Sequence, residues 1–510
     1  MAKTAEKIIG RPHLLESELF HSAQQPIPQY ESKRILMFFT QLLMDLMGFF
    51  ISLLVAIVIR SKLLPMINPG LRPLVPDAFF HSLWWITVIL ITCLAYGGIY
   101  TQRRSFWREA QKIVTSMFMA FLITMATIFL AKLGDEFLRI TLLITYMFTL
   151  FMLPLSRYIS KIFLFRLGIW TEPVIIMGAG ETGKLIAQSL MDDCYLGYQV
   201  YGFLEDDPVK KAKGIIINNC TYKVLGGFND ATAVIQDNYI RNVIIATPGL
   251  PGSELVKLTN RLKAYTHSIH VVPDLIGFPV NEVQVDYYCN DQIIGYSTCN
   301  NLAKPLNLFA KRIFDLVIGM IAFVAVIPVM AVIFLAVKID SQGPAYYTGK
   351  RIGQNGKEFK CYKFRTMFVD NEQILERYLT ENPLIKEQWI KYAKLRGYDP
   401  RVTKIGNLLR KSSLDELPQI LNVLKGDMSL VGARPYLPRE KNDMGLEAAA
   451  TILTAKPGIT GLWQVSGRGD IDFKGRLYLE TWYVRNWSLW LDISLLFRTV
   501  GAVVNKGGAY

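Results

Sequence analysis

The sequence predicts an α/β membrane protein. Its parts are a four-helix transmembrane bundle, a parallel-sheet α/β domain, a re-entrant membrane helix and a mainly helical carboxy-terminal domain. Three observations lead there. Apolar residues make up 51% of the 510, with a mean hydropathy of +0.25, high for a chain living wholly in water. Five apolar runs approach the ~20 residues a bilayer crossing needs. Between the fourth and fifth runs, a strand pattern leads through G-x-G-x-x-G into a helix.

In chain order, residues 1–32 are polar and proline-containing, and read as a cytoplasmic tail without a cleaved signal. The bundle spans 33–168, with apolar runs at 35–59, 79–99, 113–131 and 138–153, the last extended toward 164. Arg103, Arg104, Arg108 and Lys112 separate the second and third runs, and Arg157, Lys161 and Arg166 follow the fourth. The positive-inside bias then places both ends of the bundle in the cytoplasm.

The segment 169–300 opens on a buried strand, VIIM at 174–177, and the turn Gly178-Ala179-Gly180-Glu181-Thr182-Gly183. Gly178, Gly180 and Gly183 fit a Rossmann-like dinucleotide turn, with Glu205 about where a ribose-binding acid would fall. Tight strand-to-helix packing needs the same glycines, so a bound cofactor and a purely structural turn both fit.

Residues 301–340 hold a connector and the fifth run, 313–339, interrupted by Asp315 and Pro328. Lys311 and Arg312 precede it, and Lys338, Lys350 and Arg351 follow. A span here would export a basic domain against the positive-inside bias. Pro328 removes a backbone hydrogen bond and supplies a break, which predicts a helix entering and leaving on one side.

The last part, 341–510, carries the chemistry. The chain is basic, at +14, and from Lys338 onward 27 Lys/Arg face 18 Asp/Glu. No periodic base-stacking pattern accompanies the cations, which argues against nucleic acid. Six scattered cysteines without C-x-x-C indicate neither zinc nor a disulfide framework. All five histidines lie at or before His270, so chemistry beyond it runs on carboxylates and cations. The focus is KSSLDELPQ from Lys411. Ser413 and Glu416 have capping-box spacing, and Pro418 belongs in a first turn, which predicts Asp415 and Glu416 at a helix N-terminus. A cap is one reading. The surrounding Arg401, Lys404, Arg410, Lys411 and Arg434 favour another, a phosphate site with a metal ion, whose field would keep Asp415 ionised. Arg351, Arg434 and Arg468 stand beside Gly and Pro turns, suited to gripping phosphates. Trp482, Tyr483, Trp487 and Trp490 predict an amphipathic segment at the membrane interface.

Six motifs then carry a resemblance: KRIFD at 311–315, YKFRTM at 362–367, DPR at 399–401, RKSSLDELPQ at 410–419, NVLKGDMSLVG at 422–432 and KPGITGLWQVSGR at 456–468. This part resembles the bacterial sugar transferases, and with the upstream parts the large monotopic phosphoglycosyl transferases. The wording is closest to undecaprenyl-phosphate galactose-1-phosphate transferases. The resemblance implies transfer of hexose-1-phosphate, galactose-1-phosphate foremost, from a UDP-hexose to undecaprenyl phosphate with release of UMP, priming envelope polysaccharide. It implies Asp415 as nucleophile, forming a phosphosugar-aspartyl intermediate, and Glu416 beside it. Asp415 and Glu416 would hold Mg²⁺, with Mn²⁺ as substitute, and Lys363, Arg365, Arg401, Arg410, Arg434 and Arg468 would clamp phosphates. It also implies the bacterial inner membrane with cytoplasmic soluble domains, and leaves the Rossmann-like domain for regulation or for forming a homodimer. Alternatives are UDP-glucose or a UDP-N-acetylhexosamine as donor, a nicotinamide-dependent nucleotide-sugar enzyme, and a non-enzymatic scaffold. Two departures stand out. The family's G-P-R-P reads Gly432-Ala433-Arg434-Pro435, expected to loosen the turn, and its Ser-Pro reads Ile327-Pro328.

Overall fold

The computed structural model describes residues 27–67, 84–132, 136–218, 220–274, 284–288, 293–298, 300–383, 385–386, 398–467 and 471–504. The chain divides into two compact units, Met1–Leu275 and Ile276–Tyr510.

The first unit begins with helices α1 (Ile27–Val58), α2 (Trp84–Tyr96), α3 (Phe106–Leu130) and α4 (Glu136–Arg166). Apolar side chains recurring at helical spacing, such as Phe49, Leu53, Leu90, Leu94, Ile113, Met117 and Leu153, form their shared core. Others, including Phe39, Leu43, Leu54, Phe118 and Phe151, stay exposed on the outside, as lipid-facing positions would. Stretches Ile35–Ile67, Phe106–Leu130 and Ile140–Arg166 are long and apolar enough to cross a membrane. The second predicted run gives only the shorter α2, and part of that run lies outside the described residues.

Polar residues inside these runs meet one another. Asp45 of α1 takes a two-pronged ion pair from Arg157 of α4, and Tyr100 donates to the same carboxylate at 2.7 Å. Arg157 also reaches Glu109 of α3 at 2.7 Å, and Glu109 pairs with Lys161. The side chains of Asp45, Glu109, Arg157 and Lys161 are at most 1% exposed. Lys161 lies 4.7 Å over the Trp170 ring and 4.3 Å over Tyr195, beyond the bundle.

The α/β part of this unit is a five-stranded parallel sheet of β1 (Glu172–Met177), β2 (Tyr198–Leu204), β3 (Val224–Gly226), β4 (Asn242–Ile245) and β5 (Ser268–Val271), ordered β3-β2-β1-β4-β5. Period-two alternation gives β1 two buried faces. Val174 and Ile176 pack with Ala187 and Leu190 of α5 (Glu181–Asp192). Ile175 and Met177 pack with Ile235 of α6 (Ala231–Asp237) and Leu258 and Leu262 of α7 (Gly252–Lys263).

In the second unit an antiparallel strand pair, Gln284–Tyr288 with Ile293–Ser297, precedes α8 (Pro305–Asp340), 36 residues and the fourth helix of membrane length. The predicted break does not divide it: Pro328 sits inside one helix. A proline bends a helix while the remaining turns continue, so loss of one hydrogen bond need not end it. Against α8 pack a hairpin, β6 (Tyr346–Ile352) and β7 (Glu358–Phe364), and helices α9 (Lys404–Ser412) and α10 (Gln419–Lys425). A two-stranded parallel sheet, β8 (Ser429–Val431) with β9 (Gly458–Thr460), and helices α11 (Phe473–Arg485) and α12 (Leu489–Val504) also belong to it, with shorter helices between. Tyr483 and Trp487 are 2% and 3% exposed and belong to the core with Val423, Met428 and Leu495, not to an interfacial face. Tyr483 donates to Asp492 at 2.7 Å and Trp487 at 3.0 Å, so the polar tips that suited a head-group layer are satisfied inside.

Candidate active site

The carboxylate pair sits on a 3-10 turn, Leu414–Glu416, between α9 and α10. The predicted capping box is not formed. Ser413 has φ 57° and closes α9 through its own N–H, a left-handed C-cap, so its side chain does not cap the turn. Leu414 and Leu417 on either side of the pair pack toward Met330, Ile333 and Val337 of α8, which fixes the turn on this membrane-length helix.

The hairpin brings the cations. Pairing Arg351↔Phe359, Gly349↔Cys361 and Tyr347↔Lys363 puts Arg351, Cys361 and Lys363 on one face. Asn422 of α10, fully buried, accepts from Tyr362 N at 3.0 Å and donates to Lys360 O at 2.7 Å, locking hairpin to helix. Lys363 Nζ consequently stands 2.7 Å from Glu416 Oε1 and 3.8 Å from Asp415 Oδ2. Burial pushes the Asp415 carboxyl above the usual aspartate range and the Glu416 charge adds to this, while Lys363 and Arg410 oppose it. The expected dominance of the cation field is thus reversed, because removing a carboxylate from water outweighs its neighbours.

Arg434 enters from the other side. Gly432 and Gly458 let β8 and β9 approach as nothing larger could: a Cβ on Gly458 would lie 2.1 Å from Gly432 N. Two hydrogen bonds from backbone N–H groups hold the turn that carries Ala433. Gly458 N donates to Ala433 O at 2.8 Å, and Arg434 N donates to Glu480 Oε1 at 3.0 Å, holding the backbone without a proline. Arg476 lies 4.0 Å over Tyr436 and 4.9 Å over Trp463, and the Arg434 guanidinium 5.7 Å over Trp463. The result is a cleft lined by Arg351, Lys363, Glu416, Gln419, Arg434 and Gln464. Neither Arg351 nor Arg434 has a carboxylate at ion-pair distance among the described residues. Burial and the nearby Arg434 lower the Arg351 pKa, with Cys361 opposing.

The other predicted cations lie elsewhere. Arg410 donates to Thr366 Oγ1 at 2.9 Å and is near enough to sense Asp415. Arg401 is bound two-pronged by Asp399 at 2.8 and 2.7 Å, which makes it a brace of its own turn. Arg365, buried, donates to Ser341 O at 2.7 Å at the end of α8 and does not line the cleft. Arg468 lies outside the described residues. Sequence reasoning missed Gln419, Asn422 and Gln464, whose uncharged side chains gave no signal beyond their place in the motifs.

For a metal, no cluster of three or more His, Cys, Asp or Glu side chains exists among the described residues. Asp415 and Glu416 offer two adjacent carboxylates. That donor set fits a hard divalent ion such as Mg²⁺, which takes one or two carboxylates and completes its shell from water and phosphates.

In the first unit, Gly178 (φ +102°) and Gly183 are packing glycines: a Cβ would meet Ala246 O at 2.6 Å and Gly178 O at 2.0 Å respectively. Gly180 faces open space. Glu205 already accepts from Ala179 N at 2.8 Å and so braces the turn it was expected to serve as a ribose acid.

A carboxylate pair, a lysine between its members and two arginines across the cleft, on a domain led by a membrane-length helix, define a phosphotransferase enzyme of the sugar-transferase class. The family model described as bacterial sugar transferase matches residues 306–506, and one described as a CoA-binding domain matches 95–273. The undecaprenyl-phosphate galactose phosphotransferase of Salmonella typhimurium is 34% identical over 83% of this chain and 87% of its own. The UDP-glucose:undecaprenyl-phosphate glucose-1-phosphate transferase of Escherichia coli is 33% identical over 65% and 68%. The exopolysaccharide production protein ExoY of Sinorhizobium fredii is 42% identical over 41% of this chain but 91% of its own. The chain belongs to the bacterial sugar transferase family.

Proposed function

We propose that the protein transfers a hexose-1-phosphate from a UDP-sugar to undecaprenyl phosphate, releasing UMP and priming an envelope polysaccharide. Galactose-1-phosphate is the first choice, and glucose-1-phosphate or an N-acetylhexosamine phosphate the alternatives. The observation that carries the reading is the adjacent Asp415 and Glu416, both within 4 Å of Lys363, with Glu416 and Lys363 lining one cleft with Arg351 and Arg434.

Arg351 and Arg434 grip the donor's diphosphate, and Lys363 orients the carboxylates. An Asp415 oxygen attacks the phosphorus bearing the sugar; the bond to the UMP oxygen breaks, leaving a phosphosugar-aspartyl acyl phosphate. An oxygen of the lipid phosphate then attacks the same phosphorus and frees the carboxylate. Glu416 positions the acceptor or takes a proton from it. Mg²⁺ on the pair, with Mn²⁺ as substitute, would neutralise charge on the pyrophosphate.

The protein works at the bacterial inner membrane, with its soluble domains in the cytoplasm. Support for a re-entrant α8 comes from its two ends. Lys311 pairs with Asp492 at 2.6 Å and Asp315 accepts from Ser429 Oγ at 3.0 Å; at the far end Asp340 accepts from Ile405 N at 3.1 Å. One soluble domain holds both ends, which favours both on one side. The parallel sheet, with β1 at the switch of strand order, reads as Rossmann-like, serving regulation or a homodimer.

A panel of UDP-galactose, UDP-glucose and UDP-N-acetylhexosamines with undecaprenyl phosphate tests the function. UMP release in step with lipid-linked sugar phosphate is expected, fastest with UDP-galactose. Release of UDP, or no reaction with any donor, would refute it.

A further inference from the structure

Gln464 carries a side-chain acceptor that the described protein does not satisfy. It lies on the short helix Leu462–Val465 and is 7% exposed, yet it lines the cleft with Lys363, Glu416 and Arg434. Its amide is oriented by the nitrogen, which donates to Ile459 O at 3.2 Å. That leaves Oε1 on the opposite edge, buried, with no donor reaching it among the described residues. Gly461 keeps that edge clear, since a Cβ there would stand 2.8 Å from Oε1.

An unsatisfied buried carbonyl costs ~1–3 kcal/mol, and such groups in native folds call for a reason. The surrounding cleft is built for anions, and a lone acceptor adds nothing to phosphate binding. The diphosphate of a UDP-sugar is fully ionised at neutral pH and has no proton to offer it. The groups beside a bound diphosphate do: the uracil N3–H and the hydroxyls of ribose and hexose.

We propose that Gln464 is a specificity-determining residue whose Oε1 accepts a hydrogen bond from an N–H or O–H of the bound sugar nucleotide. This rests on the proposed transfer from a UDP-sugar. A site built to bond such a group rejects an analogue lacking it, because its own polar atom is then left unpaired. The shorter route to the same end, a residue that merely packs the β9 turn, would weaken all donors alike.

The test uses the full-length enzyme with undecaprenyl phosphate and the best wild-type donor. That donor is compared with its 3-methyluracil analogue, its 2′- and 3′-deoxyribose analogues and its singly deoxygenated hexoses. kcat/KM is measured for wild type, Gln464→Met and Gln464→Glu. One analogue should fall about 10²-fold below the parent donor in wild type and within about threefold of it in Gln464→Met. Gln464→Glu keeps an acceptor but loses the donor to Ile459 O and adds charge beside Glu416, so it should weaken every donor while still discriminating against the responding analogue. The responding analogue tells whether base, ribose or hexose supplies the proton. Should Gln464→Met lose turnover entirely, the same ratios are read as Kd in an Asp415→Asn background. Discrimination unchanged by Gln464→Met for every analogue overturns the assignment, as does a wild type that discriminates against none. Absence of UMP release from every UDP-sugar by wild type sinks the transfer itself, a separable result.

Discussion

Asp415 is a nucleophile held at a cost. Burial, with Glu416 beside it, raises its pKa, and an aspartate raised in the folded state contributes stability only while protonated, losing it as pH rises through the folded value. At neutral pH the ionised group therefore works against the fold. Asp415→Asn should lower turnover by about 10³-fold or more and also raise the thermal midpoint; a mutant that still turns over, or a phosphosugar trapped on another residue, would displace Asp415. Glu416→Gln should leave protein levels unchanged and reduce UMP release about 10²-fold. Activity needs the deprotonated Asp415, so burial pushes the acid limb of kcat/KM upward, against the downward pull of any divalent ion on the pair. Lys363→Gln removes the larger of the two opposing cations, and the limb should move to higher pH. A limb that stays or falls would show that Lys363 does not set this charge. The cationic surroundings were legible in the sequence, but their outcome was not, since burial is a property of the folded turn.

At the scale of elements, α8 does the positioning. Its apolar residues were plain in the sequence, as was the proline, but not the packing of Met330, Ile333 and Val337 against Leu409 and Phe364. Such contacts join residues far apart in the chain, which periodicity does not report. The same gap explains Ser413: S-x-x-E spacing fits a cap, yet the preceding helix needed a left-handed terminator and took the serine's backbone for it. If both ends of α8 lie on the cytoplasmic side, single cysteines replacing Gln342 and Asn307 should react with an impermeant thiol reagent only after the membrane is opened. Labelling of position 342 from outside intact cells would show that α8 spans.

Over the whole molecule, the order of parts was legible because hydropathy and glycine turns are written along the chain. The buried ion cluster was not: Asp45 lies within the first apolar run and Glu109 in the basic stretch before the third, and nothing along the chain pairs them with Arg157 until α1, α3 and α4 come together. The second unit contains every residue placed in the transfer, and ExoY of Sinorhizobium fredii aligns over 91% of its own length with only 41% of this chain. A chain beginning near Asn307 should retain Mg²⁺-dependent transfer in detergent, within about tenfold of full length. Inactivity of a demonstrably folded shortened protein would assign the first unit a part in the chemical step.

The charges sealed between α1, α3 and α4 also bear on handling. Dissolved ions weaken attractions between exposed groups over a Debye length of about 8–10 Å at ordinary ionic strength, and act through the water around them. The side chains of Arg157 and Asp45 have 0% of their surface open to it. A wash in molar sodium chloride, which strips loosely attached proteins from a vesicle, should leave this contact as strong as a wash in dilute buffer does.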